Sequence, residues 1–376
     1  MKRVAVTVLS LPLALVGLAG CSTYEPFHTV PYLRDQFEER LPPDLVGEVE
    51  IPFDLDDEVL ASLQGRLGSP SVRDELKVDS LLSFIFSGLE LEYSLTPTRN
   101  ATDVLDAREA NCLSFVNLFV GLGRSQRLNP FYVEVEDYQR WTFSDGVVVS
   151  RGHIVAGLTV DGDLSTYDFL PYAPKAYRDF QPISDLAAMA HFYNNLGAEA
   201  LMDGELEVAE KNLRIANALA PDFEKAINNL GVVYLRHGRI DDARALYERS
   251  LEINPLSVPQ LTNLARVYQT QGETAKAGAL LAELDEVNLT NPFYFVYRGE
   301  AALAEGDVAS ALSYMRDALR ADPEVPEVHV GLTKVYMALG QLAKARHHVQ
   351  RALRLDATHE EGRRYAALIR SREVGP

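Results

Sequence analysis

The chain contains little cysteine: two residues, Cys21 and Cys112, in 376. A disulfide framework is therefore excluded as the source of its stability. Positive charge is also scarce, with 36 Lys and Arg against 54 Asp and Glu, a net charge of -18. That excludes a general affinity for nucleic acid or anionic lipid, which needs clustered cations, although a local basic patch stays open. Long apolar runs are missing apart from Val4–Leu18, which is too short for a comfortable membrane span. The histidines make no metal-ligand spacing, His347 and His348 included, and no acidic loop has calcium spacing. No metal and no cofactor is expected. What remains is ordinary for a folded protein, 47% hydrophobic and 24% charged, and long enough for two or three domains.

The N-terminus has the pattern of a targeting segment. Lys2 and Arg3 precede the apolar run, and Leu18-Ala19-Gly20 leads into Cys21 and then Ser22. This resembles the lipobox of bacterial lipoproteins. The resemblance implies loss of residues 1–20, lipid attachment at Cys21 and anchorage in the cell envelope. In enteric bacteria it implies the outer membrane, facing the periplasm. An ordinary cleaved signal with an accidental cysteine is the alternative. If Cys21 carries lipid, Cys112 has no intramolecular partner in an oxidising compartment.

Residues 21–55 are rich in proline and charge and are expected to form a tether, with at most a short helix around Tyr32–Glu39. A domain is expected over 56–185. Its first half has helical periodicity over 56–65 and 72–88, a short extended run at 89–95, and a short helix over 102–108 that Thr102 could cap. Another helix is expected from Cys112, with Asn111 as cap and Leu113, Phe115, Val116, Phe119 and Leu122 as its apolar stripe. From Phe131 the period changes to two. Runs at 140–143 and 147–150 flank Ser144-Asp145-Gly146, and runs at 153–160 and 164–169 flank Asp161-Gly162-Asp163, two hairpin signals. Helices before an antiparallel sheet make an α+β arrangement, and 170–185 reads as an irregular crossing.

The rest repeats. Glycine recurs at 204, 238, 272, 306 and 340, and alanine at 209, 243, 277, 311 and 345, each at a spacing of 34. Small residues at 197, 231 and 265 and prolines at 221, 255 and 323 keep the same register. Small residues let paired helices approach, glycine turns the chain between them, and proline ends the second helix. The pattern resembles the tetratricopeptide repeat, with five units over 190–359 and a charged capping helix and tail over 360–376.

Cys112, His153 and Asp168 occur in an order that supports chemistry. A cysteine in the first turn of a helix faces unpaired N–H groups that favour its thiolate. Histidine and aspartate on adjacent strands can stand side by side, the imidazole taking the thiol proton and the carboxylate fixing the imidazole. Taken singly, each fits a packing or surface role. The runs Arg108–Asn117, Phe119–Arg124, Leu128–Val133, Gly152–Ala156 and Tyr167–Phe169 together resemble the transglutaminase-like superfamily, relatives of the papain-like thiol enzymes. Ala110 stands where that family often has glycine. The expected fold is thus an α+β transglutaminase-like domain followed by an all-α tetratricopeptide-repeat solenoid. The resemblance implies catalysis by Cys112, His153 and Asp168 on amide bonds, through a thioester resolved by water or by an amine. The oxyanion donor stays open among the Cys112 backbone N–H, Tyr93 and Trp141.

Asn195, Asn229 and Asn263 share one repeat position. They are expected either to face the concave groove and bind a peptide backbone there, or to reflect the frequency of asparagine at that position. A protein or peptide is the expected partner in the groove. A catalytically inactive adaptor built on the same two parts is the alternative function.

Overall fold

The computed structural model describes residues 7–11, 28–63, 65–67, 69–144, 147–169, 180–255, 257–287, 292–357 and 359–374. The chain divides into two compact units, one of residues 1–140 and 149–253, the other of residues 141–148 and 254–376.

The first unit begins with β1 (Thr7–Leu11) and α1 (Val30–Arg40), the latter capped by Thr29. Residues 30–55, expected as part of a tether, instead supply core. Leu33, Phe37, Leu41, Leu45, Ile51, Phe53 and Leu55 are all buried. Proline density there reflects turns between packed residues, not a solvated linker. Helices α2 (Asp57–Ser62) and α3 (Asp74–Ser83) follow. The periodicity over 72–88 does not yield one α-helix: Phe84–Gly88 closes it with a π-helical turn that buries Phe84 and Ile85. Of the extended run at 89–95 only β2 (Glu92–Tyr93) is strand, paired in parallel with β3 (Glu109–Ala110). Between them α4 (Ala101–Ala107) is capped by Asn100, whose side chain accepts from Asp103 N, and not by Thr102.

Helix α5 (Cys112–Ser125) is the centre of this unit, with every residue from Leu113 to Gly123 buried. A helix buried on all faces, its few polar side chains included, is one the rest of the unit surrounds. Gly121 shows how tightly: a Cβ there would lie 2.4 Å from the Phe53 carbonyl oxygen. The sheet follows as β4 (Phe131–Ser144), β5 (Val147–Val160), β6 (Asp163–Asp168) and β7 (Phe180–Ile183), in the order β1-β6-β5-β4-β7. The shorter runs expected between 131 and 160 are thus two strands of 14 residues each. The turn at Asp145-Gly146 lies outside the described residues, and β7 falls inside the expected irregular crossing.

Four repeat helices complete the first unit: α6 (Asp185–Asp203), α7 (Leu206–Leu219), α8 (Glu224–Arg236) and α9 (Ile240–Ile253). Gly231 sits against Tyr247, where a Cβ would come within 2.6 Å of the ring, so the spacing of small residues is a packing requirement. The second unit holds α10 (Val258–Thr270), α11 (Thr274–Val287), α12 (Pro292–Ala304), α13 (Val308–Ala321), α14 (Pro326–Ala338), α15 (Leu342–Leu355) and α16 (Glu360–Val374). The five glycines of the 34-residue spacing all have positive φ, between 69° and 82°. There a side chain would strain the backbone, so glycine marks each turn between helices. Among the described residues no helix is long and apolar enough to cross a membrane.

Candidate active site

Two short pairings set the start of α5. β3 ends at Ala110, Ser94 N donates to Ala110 O at 2.9 Å, and Asn111 then caps the helix. The Asn111 Oδ1 accepts from Ser114 N at 2.9 Å and from Ser114 Oγ at 2.9 Å. Its Nδ2 donates to Thr98 Oγ1 at 2.8 Å. Cys112 is therefore the first residue of a helix whose cap is engaged with the backbone, as the residue pattern anticipates. The cysteine is half-buried.

The ladder between β5 and β6 runs from Val160 opposite Asp163 to Ala156 opposite Tyr167, and Asp168 is the next residue along β6. His153 Nε2 stands 3.1 Å from Asp168 Oδ2, both side chains 3% exposed. The imidazole also hydrogen-bonds the Cys112 side chain. Burial, the largest influence on His153, disfavours its charge, but Asp168 and then Cys112 outweigh it and raise the ring from 6.5 to about 10. The imidazolium is thus the favoured form over the neutral range. The three residues read from the sequence come together, with only the cysteine open to solvent.

The walls are aromatic. Phe169, next to Asp168, stacks on Phe115 at 5.0 Å and lies 5.8 Å from both Phe86 and Tyr93. Phe119 stacks on Tyr167 at 4.9 Å. These contacts fix α5 against β6 and hence the sulfur against the ring. Tyr93 pairs in register with Ala110, two residues before Cys112. The Trp141 side chain and Cys21 lie outside the described residues. Among the described residues no group of three or more His, Cys, Asp and Glu stands as a metal site.

The asparagines, for which a groove-facing role and simple frequency are the two alternatives, expose little surface. Asn195 is half-buried, while Asn229 and Asn263 have no exposed surface. In the first unit the amides serve one another, Asn229 Nδ2 donating to Asn194 Oδ1 at 2.9 Å and Asn228 Nδ2 to Asn229 Oδ1 at 3.1 Å. A charged contact lies four residues earlier on each helix. His191 and Lys225, again 34 residues apart, both reach Glu134 of β4, with His191 Nε2 3.5 Å from one oxygen and Lys225 Nζ 2.6 Å from the other. Burial raises the Glu134 carboxyl, but His191 and then Lys225 hold it well below the usual carboxylate range. One turn before the asparagines, α6 and α8 are thus both joined to the chain's own strand through Glu134. Glu134, His191 and Lys225 escape sequence reading because an ion pair 57 or 91 residues apart leaves no local pattern. A second such joint, Arg124 on α5, grips the wholly buried Asp185 at the start of α6 through two bonds of 2.8 and 2.9 Å.

Comparison with known proteins matches tetratricopeptide-repeat models to residues 224–257, 262–326 and 302–370. The C-terminal part is therefore an all-helical tetratricopeptide-repeat solenoid. Among solved structures, a thermophilic TPR protein of Thermus thermophilus is 20% identical, covering 47% of this chain and 97% of its own, with TM-score 0.37. Yeast Tom70 is 15% identical over 50% of this chain and 41% of its own, with TM-score 0.41. YrrB, described as a TPR protein with an unusual peptide-binding site, is 20% identical over 46% of this chain and 89% of its own, with TM-score 0.27. Among curated proteins none matches.

Proposed function

We propose that the protein is an envelope lipoprotein whose N-terminal part is a transglutaminase-like cysteine hydrolase or acyltransferase. The observation that carries this reading is the imidazole of His153, bonded on one side to Asp168 at 3.1 Å and on the other to Cys112 at a capped helix start. The Cys112 thiolate attacks an amide carbonyl of a protein or peptide. The tetrahedral oxyanion is met by the Cys112 backbone N–H at the helix N-terminus. His153 gives its proton to the departing amine, the C–N bond breaks, and a thioester remains. Water, deprotonated by His153, then releases the acid; an amine in its place gives a new amide. Hydrolysis is favoured, because water is abundant. The solenoid holds the protein partner or substrate. Lipid at Cys21, after loss of residues 1–20, tethers the chain in the envelope, and the leader pattern implies an outer-membrane position facing the periplasm. That processing would remove β1 and leave β6 as the sheet edge.

The test compares wild type with Cys112→Ala on peptide-amide substrates and on iodoacetamide. Wild-type turnover lost in the variant is expected; equal, negligible turnover by both overturns the enzyme. The adaptor reading draws support from the repeat array itself, and an inert Cys112 below pH 7 would favour it. Metabolic labelling with radioactive palmitate tests the anchor, the label being expected on wild type and absent from Cys21→Ser.

A further inference from the structure

A carboxylate of the first repeat helix reaches the residue that holds the cap of the Cys112 helix. Glu199, on α6, accepts from Thr98 N at 2.9 Å and from Thr98 Oγ1 at 2.8 Å. Having donated its proton to Glu199, the Thr98 hydroxyl is an acceptor for Asn111, whose Nδ2 donates to it at 2.8 Å. Asn111 then presents its Oδ1 to Ser114 N and Ser114 Oγ. The Ser114 hydroxyl also accepts from Arg99 N at 2.7 Å, closing the chain of bonds back on the 98–99 segment. Thr98, Asn111 and Ser114 are all at most 5% exposed and Glu199 is half-buried, so the bonds among the first three are shielded from water.

The sequence adds an independent sign. At the 34-residue spacing, the positions equivalent to Glu199 hold Val233, Val267, Ala301 and Val335. Val233, Val267 and Val335 are wholly buried core residues. A half-buried carboxylate at a position the other repeats fill with apolar side chains gives up hydration that hydrogen bonds must replace, and Thr98 supplies such bonds.

We propose that Glu199 is a positioning residue for Cys112: the first tetratricopeptide repeat completes the candidate active site by fixing the rotamer of Thr98, which fixes the amide of Asn111, which fixes the backbone entering α5. The inference rests on the reading of Cys112 as a nucleophile. Physically, an Asn amide can flip, and only the orientation with Oδ1 toward Ser114 caps the helix; the one-way donation from Asn111 to Thr98 to Glu199 selects it. The repeat is thereby part of the site and not an appended module.

The experiment uses the full chain with Glu199→Gln, Thr98→Val, their double variant and Thr98→Ser. Two readouts are taken: the pH profile of Cys112 alkylation by iodoacetamide, resolved by peptide mass spectrometry, and hydrogen exchange of the amides in the first turn of α5. Glu199→Gln and Thr98→Val are each expected to speed exchange at Leu113 and Ser114 about tenfold and to slow alkylation at pH 6 about threefold to tenfold. The double variant is expected to lose no more than the worse single, as one chain of bonds requires, and Thr98→Ser to keep the wild-type profile. A general loss of melting temperature with exchange at α5 and the alkylation profile both unchanged overturns the proposal. A wild-type thiol inert below pH 7, with exchange at α5 still quickened by Glu199→Gln, overturns the enzyme reading and leaves the link from Glu199 to the cap standing.

Discussion

Replacing Glu134 by glutamine tests how the sheet is joined to the first two repeats. The side chains of Glu134 and Lys225 are 13% and 10% exposed, and that of His191 is 4% exposed. Removing one partner of a buried charged group strands the other, at about 3–5 kcal/mol. The residual exposure places Glu134→Gln near the lower end, about 3 kcal/mol, since Lys225 is left charged beside an amide. For a unit of this size that corresponds to a fall in melting temperature of about 6–12 °C. Adding Lys225→Met removes the stranded charge and should return about half of the loss. The pH dependence has a definite sign. A carboxyl held below its ordinary value of 4.5 contributes stability above that pH and loses it as pH falls beneath it. Wild type should therefore destabilise on acidification below 4.5 more steeply than Glu134→Gln. Differential scanning calorimetry at pH 7 and across the acid range reads both effects. A Glu134→Gln protein within about 0.5 kcal/mol of wild type, with the same acid slope, would refute the joint.

Other perturbations give equally definite outcomes. Asp168→Asn removes the main influence that raises His153 above 6.5, so alkylation of Cys112 at pH 6 should fall at least about tenfold; an unchanged rate means that the imidazole does not control the thiol. Gly231→Ala forces a methyl group into the Tyr247 ring and should cost about 1–3 kcal/mol in denaturant unfolding. In the second unit His329 Nδ1 lies 3.1 Å from His348 Nδ1, and burial depresses both, His348 to about 4. Their neutral forms favour the fold, so stability should decline as pH falls from about 6.5 toward 4. His348→Leu, the residue at the equivalent positions 246 and 280, should flatten that decline in thermal scans.

The repeat register, the cysteine at a helix start and the two strands bearing histidine and aspartate are decided by local spacing, and the sequence alone determines them. A glycine at positive φ every 34 residues, Asn111 before Cys112 and the change of period at Phe131 each act on neighbours a few residues away. What only the tertiary structure decided involves partners far apart. Residues 30–55 carry loop-like composition, yet their apolar side chains find the α5 surface. The asparagines keep the repeat spacing, yet in the first unit their amides bond one another, and Glu134 of β4 ties His191 and Lys225 together one turn earlier. The distance from imidazole to carboxylate depends on where two strands part. Long-range burial and charge pairing have no period along the chain, and so these contacts exist only once the whole unit has packed.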